Sequence, residues 1–113
     1  MAYGDDAVFV PSAARTTNGD SGAIFIEKGD FISILISTTA ASGTPSMTLF
    51  VEWSHDDTTF AVSDPVDTYT AAITGTGLVV KQFAVKGTTF RLRWVIAGGT
   101  PSLTFSASRY VTS

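Results

Sequence analysis

Apolar and polar residues alternate with a period of two through much of the chain. Met47, Leu49, Val51 and Trp53 alternate with Thr48, Phe50 and Glu52, and Phe90, Leu92, Trp94 and Ile96 alternate with Arg91, Arg93 and Val95. Ile32, Ile34 and Ile36 share one face of residues 31–38, and Leu103, Phe105 and Ala107 share one face of the last such segment, with Arg109 next in phase. This alternation predicts strands that bury one face. Further strands are expected at residues 23–27, 60–62, 67–73 and 78–85. The intervening stretches are made of Gly, Ser, Thr, Pro and Asp, which form turns. About eight strands with frequent turn signals predict an all-β fold, an antiparallel two-sheet β-sandwich.

The first twenty residues read differently. Residues 7–10 have the character of a short strand, Pro11 interrupts it, and the polar run Arg15-Thr16-Thr17-Asn18-Gly19-Asp20-Ser21 contains a strong turn dipeptide. Residues 1–20 are therefore expected to be an N-terminal arm, and residues 21–113 a single sandwich domain.

Within that domain the chain repeats itself. Ala41-Ser42-Gly43-Thr44-Pro45-Ser46-Met47-Thr48-Leu49 matches Ala97-Gly98-Gly99-Thr100-Pro101-Ser102-Leu103-Thr104-Phe105 at an offset of 56. The strands upstream correspond as well, so the repeat spans residues 31–54 and 87–110. Either similar hairpins need similar turns, or a meander is duplicated, with one copy per sheet or the two side by side. Two copies are too few for a solenoid or a propeller. Duplicated strand sets favour a jelly roll, with an immunoglobulin-like sandwich as the other topology.

Composition supports β structure: the chain has ten Val, seven Ile and seventeen Thr against five Leu. β-branched side chains fit a pleated sheet better than a helix. With no Cys there is no disulfide scaffold, thiolate metal site or Cys nucleophile. The formal charge of −3 argues against nucleic acid as a partner. No apolar run is long enough for a helix that spans a membrane, and residues 1–6 do not read as a signal peptide.

Charge is unevenly distributed. Residues 1–67 hold all ten acids and two bases, Arg15 and Lys28, whereas residues 68–113 hold five bases and no acid. Either the folded molecule has an acidic and a basic side, suited to pairing head to tail or docking on a charged lattice, or Arg91 and Arg93 face Glu52 across adjacent strands and neutralise it.

No catalytic, cofactor or metal site is expected. His55-Asp56-Asp57 offers too few oxygens at the intervals a Ca²⁺ loop needs, and reads as a turn. Nothing pairs Glu52 with Asp64 or Asp67 as glycosidase carboxylates, and the single His lacks a nucleophile motif. Trp53 and Trp94 fall on apolar phases and read as core rather than as a sugar platform. Phe50 lies on the polar phase of its strand, and Phe9 and Val10 are apolar within the expected arm. Either these side chains pack under other segments or they meet another chain. With the exposed strand residues Arg91 and Arg93, they are the candidate protein contacts.

Two segments resemble small structural proteins of tailed bacteriophages: Val51-Glu52-Trp53-Ser54-His55-Asp56-Asp57-Thr58-Thr59-Phe60, and Phe90-Arg91-Leu92-Arg93-Trp94 followed by Gly98-Gly99-Thr100-Pro101-Ser102-Leu103-Thr104-Phe105-Ser106. The similarity spans about residues 30–110. Asp57 stands where those proteins more usually have glycine. The resemblance implies a non-enzymatic virion protein with a β-sandwich fold, of the capsid decoration or minor capsid type. Such a subunit would be made in the bacterial host cytoplasm and placed on the capsid surface. Its partners would be the major capsid protein and copies of itself, with a trimer the preferred arrangement. The alternatives are a glycan-binding module, which needs exposed aromatic rings, and a tail or head–tail connector subunit.

Overall fold

The computed structural model of the chain describes residues 8–26 and 29–112. Its strands are β1 (Val8–Arg15), β2 (Gly19–Asp20), β3 (Ile24–Phe25), β4 (Phe31–Ser42), β5 (Ser46–Ser54), β6 (Ala61–Thr68), β7 (Gly77–Ala84), β8 (Thr89–Ala97) and β9 (Ser102–Thr112). All pair antiparallel, in two sheets. Sheet A has the order β1-β9-β4-β7, and sheet B has the order β2-β8-β5-β6 with β3 also on β8. Gly19 opposes Trp94 and Ile24 opposes Phe90, so β2 and β3 lie end to end along one side of β8. Taken as one strand position, they leave β5–β6 as the only connection that stays within a sheet. This is the strand order of a jelly roll.

The period-two segments form the two inner faces, as their pattern predicts. Ile32, Ile34, Ile36, Leu103 and Phe105 of sheet A pack against Met47, Leu49, Val51, Phe90 and Leu92 of sheet B, all essentially inaccessible. Burying each such side chain contributes about 1.5–3 kcal/mol. Tyr69 closes one side of this core. Its hydroxyl donates to the Ile34 carbonyl at 2.7 Å, and burial raises the phenol above its ordinary pKa.

The two repeat copies do not occupy one sheet each but lie side by side, as neighbours in both sheets. Each crosses from one sheet to the other, β4 to β5 and β8 to β9, and each sheet takes one strand from each copy. The pairing obeys a pseudo-two-fold relation. Ile36 opposes Ala107 as Leu92 opposes Val51, and Thr38 opposes Phe105 as Trp94 opposes Leu49. At one end the two crossing loops clasp. Thr44 donates its N–H to the Gly99 carbonyl, and the Gly99 N–H donates to the Thr44 hydroxyl at 2.9 Å. Gly98, at φ 121°, leaves so little room that an added Cβ would run into the Thr44 carbonyl oxygen.

Four expectations are corrected. Residues 8–20 do not stand apart as an arm. β1 pairs along β9 from Val8↔Ser108 to Arg15↔Leu103, and β2 joins sheet B. Pro11 is accommodated because β1 is an edge strand whose outer side needs no ladder bond. For the same reason β6 runs through Asp64 and Pro65, where the sequence suggested a break, and a strand over residues 67–73 is not formed. Only Ile24 and Phe25 of residues 23–27 pair as a strand. Residues 1–7 of the expected arm, and Glu27 of that strand, lie outside the described residues.

Candidate interaction surfaces

The outward face of sheet B is a band of alternating charge and aromatic ring. On β5 the outward phase is Thr48, Phe50, Glu52, and on β8 it is Arg91, Arg93, Val95. Glu52 opposes Arg91 directly, with Arg93 two residues along. The Arg91 Nε donates to Glu52 Oε1 at 2.6 Å and the Arg93 Nε to Oε2 at 2.8 Å. One carboxylate, only 7% exposed, thus anchors two guanidinium groups. Each guanidinium also lies over a phenyl ring: Arg93 over Phe50 at 4.5 Å and Arg91 over Phe60 at 4.8 Å. Stacking of this kind adds cation–π attraction and covers ring surface that would otherwise face water.

The candidate contact residues separate accordingly. Val10 is in the core, and Phe9 meets Phe90 edge-on at 5.3 Å, so both serve the chain's own sandwich. Phe50, Arg91 and Arg93 sit together on the outer face of sheet B. The polar phase of the sequence places them on this face, and their pairing with Glu52 is the neutralising alternative drawn from the sequence.

Neutralisation within the chain accounts for three of the five bases of residues 68–113, and the other two bond carbonyl oxygens. Lys86 donates to Asp67 at 2.8 Å, Lys81 to the Thr68 carbonyl at 2.6 Å and Arg109 to the Phe25 carbonyl at 2.8 Å. All five bases of residues 68–113 therefore bond within the chain, three of them to acids of residues 1–67.

The His55-Asp56-Asp57 segment is a turn. Asp56 Oδ1 accepts the Thr59 N–H at 2.7 Å, the Thr58 N–H at 3.0 Å and the Ser54 hydroxyl at 3.0 Å. These bonds, the Thr59 amide foremost, hold its carboxyl well below the usual carboxylate range. Asp57 takes φ 69°, the left-handed conformation for which glycine is favoured and which Asp tolerates. Among the described residues, no three His, Asp or Glu side chains gather where they could hold a metal ion.

Both Trp residues are 6% exposed. The Trp53 indole N–H donates to Asp67 at 2.8 Å and the Lys86 ammonium lies 5.4 Å from its ring centre. Trp94 packs edge-on against Phe105, with the Arg15 guanidinium over it. A hollow of about 410 Å³ opens beside Trp53, lined by His55, Ala61, Ser63 and Lys86.

The second surface is one that reading the sequence did not single out. The outward phase of sheet A runs Val80, Leu35, Ser108, Val8 in one row across all four strands, flanked by Leu78, Ser37, Ser106 and by Gln82, Ser33, Tyr110. Among the described residues no outward side chain of this sheet is charged. Leu78 is 73% exposed, and Val80 and Val8 are each 61% exposed. The face ends at β7, an edge strand. Beside β7 a groove of about 520 Å³ is lined by Tyr69, Ala72, Ile73, Val79, Val80 and Lys81. The only sequence signal for this surface is the run Leu78-Val79-Val80, which gives no hint of which side of the sheet is open. Compared with models of known protein families and with curated proteins, the chain matches none.

Proposed function

We propose that the chain is a non-enzymatic structural subunit of a tailed-bacteriophage virion. In this reading it is a capsid decoration or minor capsid protein that binds the major capsid protein and copies of itself on the capsid surface. The observation that carries the reading is the outward face of sheet A, an uncharged area on which the exposed Leu78, Val80 and Val8 stand among serines, bordered by an open strand. Contiguous apolar surface rimmed by polar groups marks a place that another protein covers. The jelly-roll order and the resemblance of residues 30–110 to phage structural proteins support the same conclusion. On a repeating shell, valency turns a modest contact into firm attachment. The glycan-binding alternative needs an open aromatic face, and the rings of Trp53 and Trp94 are closed by Lys86, Arg15 and Phe105.

The test is to band particles from the source culture on a density gradient and quantify the chain by peptide mass spectrometry. A copy number comparable with that of the major capsid protein is expected. A far lower number assigns the chain to the tail or the head–tail connector. Its absence from the band, with the chain free in the lysate, overturns the virion reading.

A further inference from the structure

The two sheets have four outer edges, and three of them are blunted. β1 carries Pro11 and two register shifts. β2 and β3 are two residues each. β6 carries Pro65, two acids and a register shift. These are devices by which sheet proteins prevent edge-to-edge pairing. β7 carries one such device, a single lysine. Its eight residues keep unbroken register with β4 from Phe31↔Ala84 to Thr38↔Gly77, and it contains neither Pro nor acid. Its one charge, Lys81, is turned inward and tied to the Thr68 carbonyl, with the ammonium 5.7 Å from the Phe83 ring centre. The adjoining 69–76 segment does not cap the edge. Its backbone bonds run between Ile73 and Met47 of sheet B, and among the described residues none joins it to β7.

We propose that β7 pairs antiparallel with β7 of a second copy, joining two A sheets across a two-fold axis with Val80 opposite Val80. The inference goes beyond the reading of this face, since it concerns the strand edge that borders it and leaves the face itself uncovered. The edge is self-complementary in a way that selects the register. A two-fold axis normal to the sheet keeps outward residues opposite outward residues, so only pairings centred on a residue are allowed. Centring on Lys81 opposes two like charges directly, which is unfavourable. Centring on Val79 shortens the overlap. Centring on Val80 retains the longer overlap, sets Leu78 opposite Gln82 and Val79 opposite Lys81, and brings no two like charges into direct opposition. The outward faces of the two copies then merge into one eight-stranded uncharged surface, and the free N–H and C=O groups of both edges are satisfied.

The chain has no Cys, so single cysteines report the register cleanly. Antiparallel partners lie about 4.5–5.5 Å apart between Cα atoms, within disulfide range. Under mild oxidation, V80C is expected to form a covalent dimer, whereas L78C, at a more exposed position, is not. Mixed L78C and Q82C chains should cross-link to one another. In sedimentation across a concentration series, the unmodified chain should self-associate as a dimer, and V80K should raise the dissociation constant about tenfold or more. Val80 is outward and exposed, so V80K should keep the fold, checked by its Trp emission. A monomer at all concentrations, a trimer without the Val80 cross-link, or equal cross-linking of V80C and L78C overturns the proposal. Particle banding decides the virion reading independently. The chain can be found in particles without this dimer, or form this dimer and be absent from particles.

Discussion

Glu52 joins residues that the sequence keeps far apart. Its two carboxylate oxygens take one guanidinium each, and both guanidinium groups stack on phenyl rings. Removing the carboxylate leaves two cations, each about one-third exposed, without their anion. E52A should therefore destabilise the fold by about 1–3 kcal/mol, less than a fully buried pair would cost because water reaches both arginines. Urea unfolding should show a lower midpoint at unchanged slope. Asp56 works through the backbone instead. Its carboxylate accepts two amide N–H groups and a hydroxyl, which lower its pKa in the folded chain. A depressed carboxyl stabilises the fold above the unfolded-state pKa, near 3.9, and that contribution is lost as pH falls through the folded value. D56N should be less stable than the unmodified chain at neutral pH, and the difference should shrink on acidification below about pH 4. Thermal unfolding of both chains over a pH series measures it.

At the scale of elements, the two crossing loops hold the sandwich closed at one end. Gly98 adopts φ 121°, and a methyl group there would strike the Thr44 carbonyl oxygen. G98A combines an unfavourable backbone conformation with a clash against backbone, and should cost about 2 kcal/mol or more. Gly75 meets nothing within 4 Å and has an ordinary φ. G75A should be neutral or slightly stabilising, since it restricts the unfolded chain. Denaturant midpoints of the pair separate the two effects. The sequence made β4, β5, β8 and β9 legible because each buries one face only, and alternation is the direct record of that. It hid β1 and β6, because proline marks a break anywhere except on an edge, and an edge is a property of the sheet. The repeat was legible too, but not which arrangement it takes, since copies in separate sheets and copies side by side bury the same apolar phase. The Glu52–Arg pairing followed from phase along neighbouring strands. The open β7 edge did not, because strand order depends on pairings between residues far apart in the chain.

Over the whole molecule, contacts are overwhelmingly between distant segments. β9 lies between β1 and β4, and Val8 finds its partner at Ser108. Topologies dominated by such pairings fold in milliseconds to seconds rather than microseconds. Stopped-flow refolding followed by emission from Trp53 and Trp94 should show a main phase in that range. A microsecond phase carrying the full amplitude would contradict it.

The central place of β9 has a consequence for biosynthesis. A ribosome makes β9 after the other eight strands, so β1 and β4 emerge with the gap between them unfilled. Until β9 arrives, sheet A is two separate pieces, each with an inner edge that later disappears. β7 is then one of several pairing-competent edges, and only completion of the sheet leaves it alone. The polypeptide thus exposes more pairing-competent edges while being made than the finished sheet retains. Order of synthesis, together with the blunted outer edges, decides when association becomes selective.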